Sequence, residues 1–376
     1  MRFHVFIWKR LHICGYRPQV DHWLTVEWAT ACPPTALSRL VGATVKSLTI
    51  TEVPRSLDWQ EAIRRTECAN VYASEKWGEY KRRLGWLVKR VIISDQSGRE
   101  LGLVQYQIRK RGPSRFILAQ GCPILTDKGA FQAKEVFEAF VAHLNLGRLD
   151  LLGIRYHQFE TGEAKLALLA HGFRPVISAK DHTLEVNLLQ TMESIRSALD
   201  GRWRNALVKA ERNNNIVINF SQSPSDRSQA FDVFSKMYTS LKERKGFQNS
   251  LNTQIYGDLA AHDTCLEFQE VRENGEPILV RIAHKSRHRW TDFFVASNER
   301  ARELEVPRLA LWRALEKAKQ EGASIYDLGG IDPANNRGVY VFKAGVTRSV
   351  AQATPLWLYS RSSIVRDAAA SILSRR

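Results

Sequence analysis

The chain has 376 residues, 44% of them apolar and 25% charged, which suits two or three soluble globular units rather than a single core. No apolar run approaches the roughly 18 residues that a membrane-spanning helix requires. The opening MRFHVFIWKRLHIC is broken at Lys9 and Arg10, which argues against a signal peptide. Lys and Arg number 55 against 39 Asp and Glu, and the resulting +16 points to polyanionic partners: a nucleic acid, a nucleotide diphosphate or an anionic membrane face.

Residues 1–45 show no regular periodicity and are expected to form a disordered or loosely docked N-terminal arm. From Trp86 the chain reads as a hairpin, WLVKRVIIS and LGLVQYQIRK around the turn SDQSGRE, followed by the strand RFILAQG. A helix from Asp127 places Phe137, Phe140, Val141 and Leu144 on one face, and the short strand LDLLGI comes next. The helix EAKLALLAHGF and the strand HTLEVNL close a first lobe over 46–188. The second lobe, 189–358, repeats this succession: helices around SIRSALDGRWRNALVKAERNN and AFDVFSKMYTSLKER, strands near CLEFQEV, PILVRIAH and RWTDFFVAS, and a helix from Pro307 to Gly322. The strand SIYDLGGI follows. Asp150-Leu151-x-Gly153-Ile154 thus matches Asp327-Leu328-x-Gly330-Ile331 at the same place in each half, which predicts a duplicated α/β (α+β) fold. Residues 359–376 are expected to form a C-terminal amphipathic helix with Ile364, Val365, Ala368, Ala369 and Ile372 on one face.

The five cysteines are widely spaced and never form C-x-x-C, which fits a reduced, cytoplasmic chain without structural zinc or a disulfide framework. His284 and His288 are four apart in HKSRHRW, but no carboxylate or thiol accompanies them. A solvated basic hairpin tip is the expectation there, not a metal site. No G-x-S-x-G elbow, H-E-x-x-H helix or Walker loop occurs, which argues against the commonest hydrolases and nucleotide-hydrolysing enzymes.

The tandem arrangement, ending in YDLGGI and then VYVFKAG, resembles the FemABX peptidyltransferases, with two tandem GNAT-like lobes, each a mixed sheet flanked by helices. SEKWGEYKRRLGW resembles that family's tryptophan-containing first helix, WRNALVKAERNN its basic helix and FSKMYTSLKERKGF the helix ending in Arg-x-Gly-Phe. The chain departs from the family in having Gly345-Val346-Thr347 after the lysine, where Phe-Gly-Gly is usual. The resemblance implies an acyltransferase that moves an aminoacyl group from aminoacyl-tRNA to an amine of a nucleotide- or lipid-linked cell-wall precursor, acting as a monomer without a cofactor, in peripheral contact with the inner membrane face. It implies that Lys343, with Phe342 and Tyr340, carries the chemistry from a glycine-punctuated loop. Trp77, Lys81, Arg244, Gly329, Gly330 and Asp332 would bind substrate, Lys81 and Arg244 by holding a diphosphate.

Physical chemistry sets limits on the donor. Acyl-CoA enzymes of this fold cradle a pyrophosphate on the N–H groups of a glycine-rich loop. The equivalent stretch here, RELEVPRLALW, has no glycine, and Pro307 removes a donor. An aminoacyl ester needs no such cradle, and a fixed cation such as Lys343 would stabilise the tetrahedral oxyanion and the leaving ribose oxygen. An acyl-CoA-dependent N-acyltransferase of envelope biosynthesis stays open as an alternative, as does a non-catalytic nucleic-acid-binding protein on the same fold. Arg202, Arg204, Lys209 and Arg212 would in either tRNA reading meet a phosphate backbone; otherwise they are the solvated side of a helix whose Trp203 and Leu207 face the core.

Overall fold

A computed structural model describes residues 48–66, 70–155, 162–177, 181–245, 251–286 and 288–374, with the side chains of residues 244 and 245 outside that set. The expected arm over 1–45 therefore lies outside the described residues. Lys46–Arg376 forms one compact unit.

The chain enters through β1 (Thr49–Glu52), α1 (Ser56–Arg65), a 3₁₀ turn at Val71–Ala73 and α2 (Glu75–Arg83). Ser74 starts α2 by accepting the Trp77 N–H on its hydroxyl at 3.1 Å. β2 (Leu87–Ser94) and β3 (Glu100–Arg111) form the expected hairpin, because Asp95 accepts the N–H groups of Ser97 and Arg99 and Gly98 supplies a positive φ of 79°. β4 (Ser114–Gln120), β5 (Ile124–Leu125), α3 (Asp127–Phe131), α4 (Ala133–His143), β6 (Leu151–Arg155), α5 (Gly162–Ala170) and β7 (Arg174–Val176) follow.

Next come β8 (His182–Asn187), α6 (Met192–Ala198), α7 (Gly201–Glu211), β9 (Ile216–Phe220), α8 (Pro224–Lys245), α9 (Thr253–Ala261), β10 (Leu266–Glu273), β11 (Glu276–Lys285), β12 (Arg289–Ser297), α10 (Glu299–Glu303) and α11 (Val306–Gln320). The chain ends with β13 (Ile325–Gly330), α12 (Arg337–Ala344), β14 (Val350–Gln352), β15 (Leu356–Tyr359) and α13 (Ser363–Ser374).

Two sheets result, in the orders β1-β2-β3-β4-β6-β15-β7, with β5 on β3, and β14-β8-β13-β12-β11-β10-β9. Both are antiparallel except at β4/β6 and β12/β13. The duplicated mixed sheets flanked by helices are thus present, but the expected boundaries at 188 and 358 are not. β8, read as the last strand of the first lobe, pairs with β13 and β14 in the second sheet. β15 makes the return exchange and pairs with β6 and β7 in the first.

Each lobe therefore fills the same slot, beside its parallel pair, with a strand from the other half of the chain. Trp357 of β15 is fully buried in the first core among Trp59, Phe137, Phe140 and Ile154. Leu184 and Val186 of β8 complete the second, with Trp203, Trp312, Leu315 and Tyr326. Burying each such side chain contributes about 1.5–3 kcal/mol, so the exchange couples the stability of the two lobes.

β9 was not expected; its residues alternate between half-buried and exposed, as an edge strand does. The motif pair also differs in detail. Asp150 precedes β6 and holds the Arg115 guanidinium at 2.6 Å, whereas Asp327 lies inside β13. The C-terminal helix packs on the first lobe through Ala369, Ala370 and Leu373 against Val176 and Leu358. Its inward face is rotated from the expected one, since Ile364 and Ile372 are 80% and 58% exposed. Among the described residues, no helix is long and apolar enough to cross a membrane.

Candidate active site

β12 and β13 begin as parallel neighbours, pairing Arg289 with Ile325, Trp290 with Tyr326 and Thr291 with Asp327, and the pairing stops there. Two local features drive the strands apart. Phe293 is a bulge in β12, because β11 passes from Ala283 opposite Asp292 to Ile282 opposite Phe294. In β13 the register against β8 shifts between Asp327 and Gly330, and Gly329 takes a φ of 75°. A side chain at Gly329 would be strained by that φ and would place its Cβ 3.0 Å from the Asp292 carbonyl oxygen. The equivalent strands of the first lobe, β4 and β6, stay paired from Phe116/Leu151 to Gln120/Arg155.

The splay opens a cleft of about 350 Å³ at the carboxyl ends of the parallel strands. Asp292, Phe293, Asp327, Gly329 and Gly330 line one side; Tyr72, Gln120, Gly121 and Arg155 of the first lobe line the other. Thr183, from the exchanged strand β8, joins them.

The carboxylates are held from behind. Asp292 accepts the Tyr326 hydroxyl at 2.7 Å and is paired with the buried Arg281 guanidinium. Asp327 accepts the Gly329 N–H at 2.8 Å and the Thr183 hydroxyl, and the Arg289 guanidinium lies 3.5 Å away while also pairing Glu185 at 2.5 Å. Burial pushes the Asp327 carboxyl up, against the lowering pull of its hydrogen bonds and of Arg289.

The Lys343 ammonium donates to the carbonyls of Gly329 and Gly330 at 3.0 and 2.8 Å. Burial pulls its pKa below that of an ordinary lysine, and the charges of Asp292 and Asp327 oppose the shift. Two of its three hydrogens are used by carbonyls, and a third is left for a substrate oxygen.

The expectation of a loop around Lys343 is corrected: Arg337–Ala344 is helix α12. The turn residues 332–336 only launch it, with Asp332 accepting the Asn335 backbone and side-chain N–H groups. Asp332 is accordingly a turn former rather than a cleft residue. Helical geometry also separates neighbours that the sequence places together, because adjacent residues on a helix point about 100° apart. Lys343 reaches the bend of β13, whereas Tyr340 and Phe342 line a second groove of about 720 Å³ with Arg202, Trp203, Arg308 and Arg348. There the Trp203 indole donates to the Phe342 carbonyl at 3.1 Å, and the Arg308 guanidinium lies 5.8 Å from the Phe342 ring. Of the basic helix α7, Trp203 and Leu207 face the core, and Arg202, Arg204, Lys209 and Arg212 are exposed.

Trp77 is buried among Tyr72, Tyr80, Tyr256 and Phe293, directly behind the cleft wall. The Lys81 ammonium sits 4.8 Å from the centre of its ring, and burial lowers its pKa. Arg244 belongs to α8, but its side chain lies outside the described residues. His284, expected on a solvated hairpin tip, is buried at the cleft because β11 extends through it to Lys285. Among the described residues, no group of histidines, cysteines or carboxylates has metal-site geometry.

Sequence reasoning missed Arg281, Asp292 and Thr183. The first two carried a usable signal, since a charge inside ILVRIAH or WTDFF must be paired if that strand is buried. Thr183 carried none, because only the strand exchange brings β8 to β13.

Residues 197–344 match the acetyltransferase (GNAT) domain family. No curated protein matches the chain. Among solved structures the chain is similar to FemX, at 13% identity and a TM-score of 0.68, covering 87% of this chain and 100% of that one. It is also similar to the C-terminal domain of a putative lysylphosphatidylglycerol synthetase from Agrobacterium fabrum, at 12% identity and a TM-score of 0.55, over 85% of this chain and 96% of that one. L-PGS from Bacillus licheniformis gives 14% identity and a TM-score of 0.50, over 74% and 86%. Two like sheets, each splicing in a strand of the other, together with these likenesses, give the chain a duplicated GNAT-like fold that it shares with FemX.

Proposed function

We propose that the protein is an acyltransferase that moves an aminoacyl group from aminoacyl-tRNA to the amine of a cell-wall or other envelope precursor. The observation that carries this reading is the Lys343 ammonium, fixed on the Gly329 and Gly330 carbonyls where β12 and β13 part. In the transfer, the acceptor nitrogen attacks the ester carbonyl and a tetrahedral oxyanion forms. The C–O bond to the ribose then breaks, the nitrogen loses a proton and the ribose oxygen gains one. A cation already held in place meets both developing oxygen charges without reorganising.

One further feature favours an ester donor over a thioester of CoA. The amino end of α11, where this fold would receive a pyrophosphate, is preceded by Glu305 in left-handed conformation, which pairs with Arg308, and Pro307 supplies no N–H. The groove on α12 offers three arginines and three aromatic rings, a combination suited to phosphates and stacked bases. The +16 excess suits the same polyanionic donor.

Mass spectrometry of products, with charged tRNA and acyl-CoA offered separately to the purified protein with an amine acceptor, tests the proposal. Transfer from charged tRNA alone is expected. Transfer from acyl-CoA alone would replace it with the N-acyltransferase reading, and salt-dependent tRNA binding without turnover with the nucleic-acid-binding one.

A further inference from the structure

The central cleft does not end at the first lobe. Gln120, Arg155 and Asp181 also wall a second cavity, of about 340 Å³, whose remaining lining is Leu118, Val176, Leu356 and Leu373. The topology explains why it is there. Leu118 is paired with Gly153, and Gly153 with Leu358 of the exchanged strand, so these side chains share one face of the first sheet. Gly153 has no side chain to fill that face: a Cβ there would meet Leu356 and Leu118 at 3.2 and 3.3 Å. Helix α13 covers the part of this face nearest β7 and β15, and Leu373 near its end forms the far wall of the cavity. Among the described residues, the polar groups that line this pocket are Gln120, Arg155 and Asp181, which it shares with the cleft, and the Arg155 guanidinium is held by the Asp181 carboxylate at 2.5 Å.

We infer that this cavity holds the aliphatic chain of an amphiphilic acceptor whose amine lies in the cleft beside Gly329 and Gly330. The inference rests on the acyl-transfer reading above and adds a substrate class to it. Its volume and composition are those of a small-molecule site, apolar with a few convergent polar groups, and water is poorly held by such walls. Continuity with the cleft selects an amphiphile: an apolar tail satisfies the four aliphatic walls, and the polar remainder passes Gln120, Arg155 and Asp181.

The test is calorimetric titration of the full chain with butylamine, octylamine and dodecylamine below their micelle concentrations. Affinity should rise by about fourfold per methylene until the cavity is full. In Leu118→Trp, which fills the cavity, that gain should vanish. In Leu373→Asn, at a half-buried position on the surface helix α13, dodecylamine should bind roughly tenfold more weakly, with thermal melts showing that both variants are folded. Affinity independent of chain length in the wild type, or chain-length dependence unchanged in both folded variants, overturns the inference. So does concentration-dependent dimerisation that Leu118→Trp abolishes, which would give the cavity to a second copy. These titrations contain no donor. With charged tRNA added in a separate assay, chain-length-dependent binding but no transfer to dodecylamine would sink the aminoacyl-transfer reading alone, and transfer to butylamine as efficient as to dodecylamine would sink the tail site alone.

Discussion

Replacing Lys343 by Met keeps the length of the side chain and removes its charge, which makes it the sharpest probe of the site. Two costs can be separated from the geometry. The ammonium donates at 3.0 and 2.8 Å to two carbonyls, and hydrogen bonds from a charged group contribute about 1.5–3 kcal/mol each before screening. Lys343 is only half-buried and water can reach the bend, so the stability loss should be well below that sum, about 1–2 kcal/mol. The catalytic cost is larger: loss of one preorganised stabilising donor lowers kcat by about 10²–10³, because its charge acts on the transition state. Single-turnover transfer from charged tRNA, read beside KM and a thermal melt, should show a fall in kcat of at least ~10² with KM changed only a few-fold. The pH profile adds a readout that a structural lysine would not move. Burial lowers the Lys343 pKa below the ordinary 10.5, so kcat should decline as pH rises through a value below 10.5. Stability carries the opposite sign: the folded state holds this proton less tightly than the unfolded chain, so the penalty for burying the charge is relieved as pH rises through the folded pKa towards 10.5, and Lys343→Met abolishes that dependence. A folded Lys343→Met enzyme with kcat within about threefold of wild type would refute the assignment and leave the lysine as a clamp on the Gly329–Gly330 bend.

Asp292→Ala strips the buried Arg281 of its carboxylate, and an uncompensated buried charge should lower the free energy of unfolding by about 3–5 kcal/mol in denaturant titrations; an unchanged midpoint would mean that water or Tyr326 suffices. A chain starting at Lys46 should keep a single cooperative transition and full activity, since Lys46–Arg376 is a compact unit of its own, and loss of that transition would make residues 1–45 part of the core. Binding of tRNA, followed by fluorescence anisotropy, should weaken steeply between roughly 50 and 200 mM salt because the +16 chain displaces counterions from the RNA; flat affinity over that range would remove the electrostatic part of the proposal.

Much of the fold was legible along the chain because its signals are local. The hairpin at Asp95–Gly98, the apolar stripe through Phe137 and Phe140 and the helix opening at Pro307 each depend on residues a few positions apart, and each formed where its pattern lies. The Asp-Leu-x-Gly-Ile pair likewise marked the parallel-paired strand of each half. Strand partnership is different, because a strand's hydrophobic alternation states that one face is buried but not against which neighbour. HTLEVNL and LWLY read the same whichever sheet receives them, so only the tertiary structure sends β8 to β13 and β15 to β6. That exchange places Thr183 on Asp327 and builds the cavity around Leu356. The run VYVFKAG gave up its residue types but not their directions. Coiled as a helix, it aims Lys343 at the glycine bend and Phe342 at Trp203, a division set by the helical turn and by the core that receives each side chain.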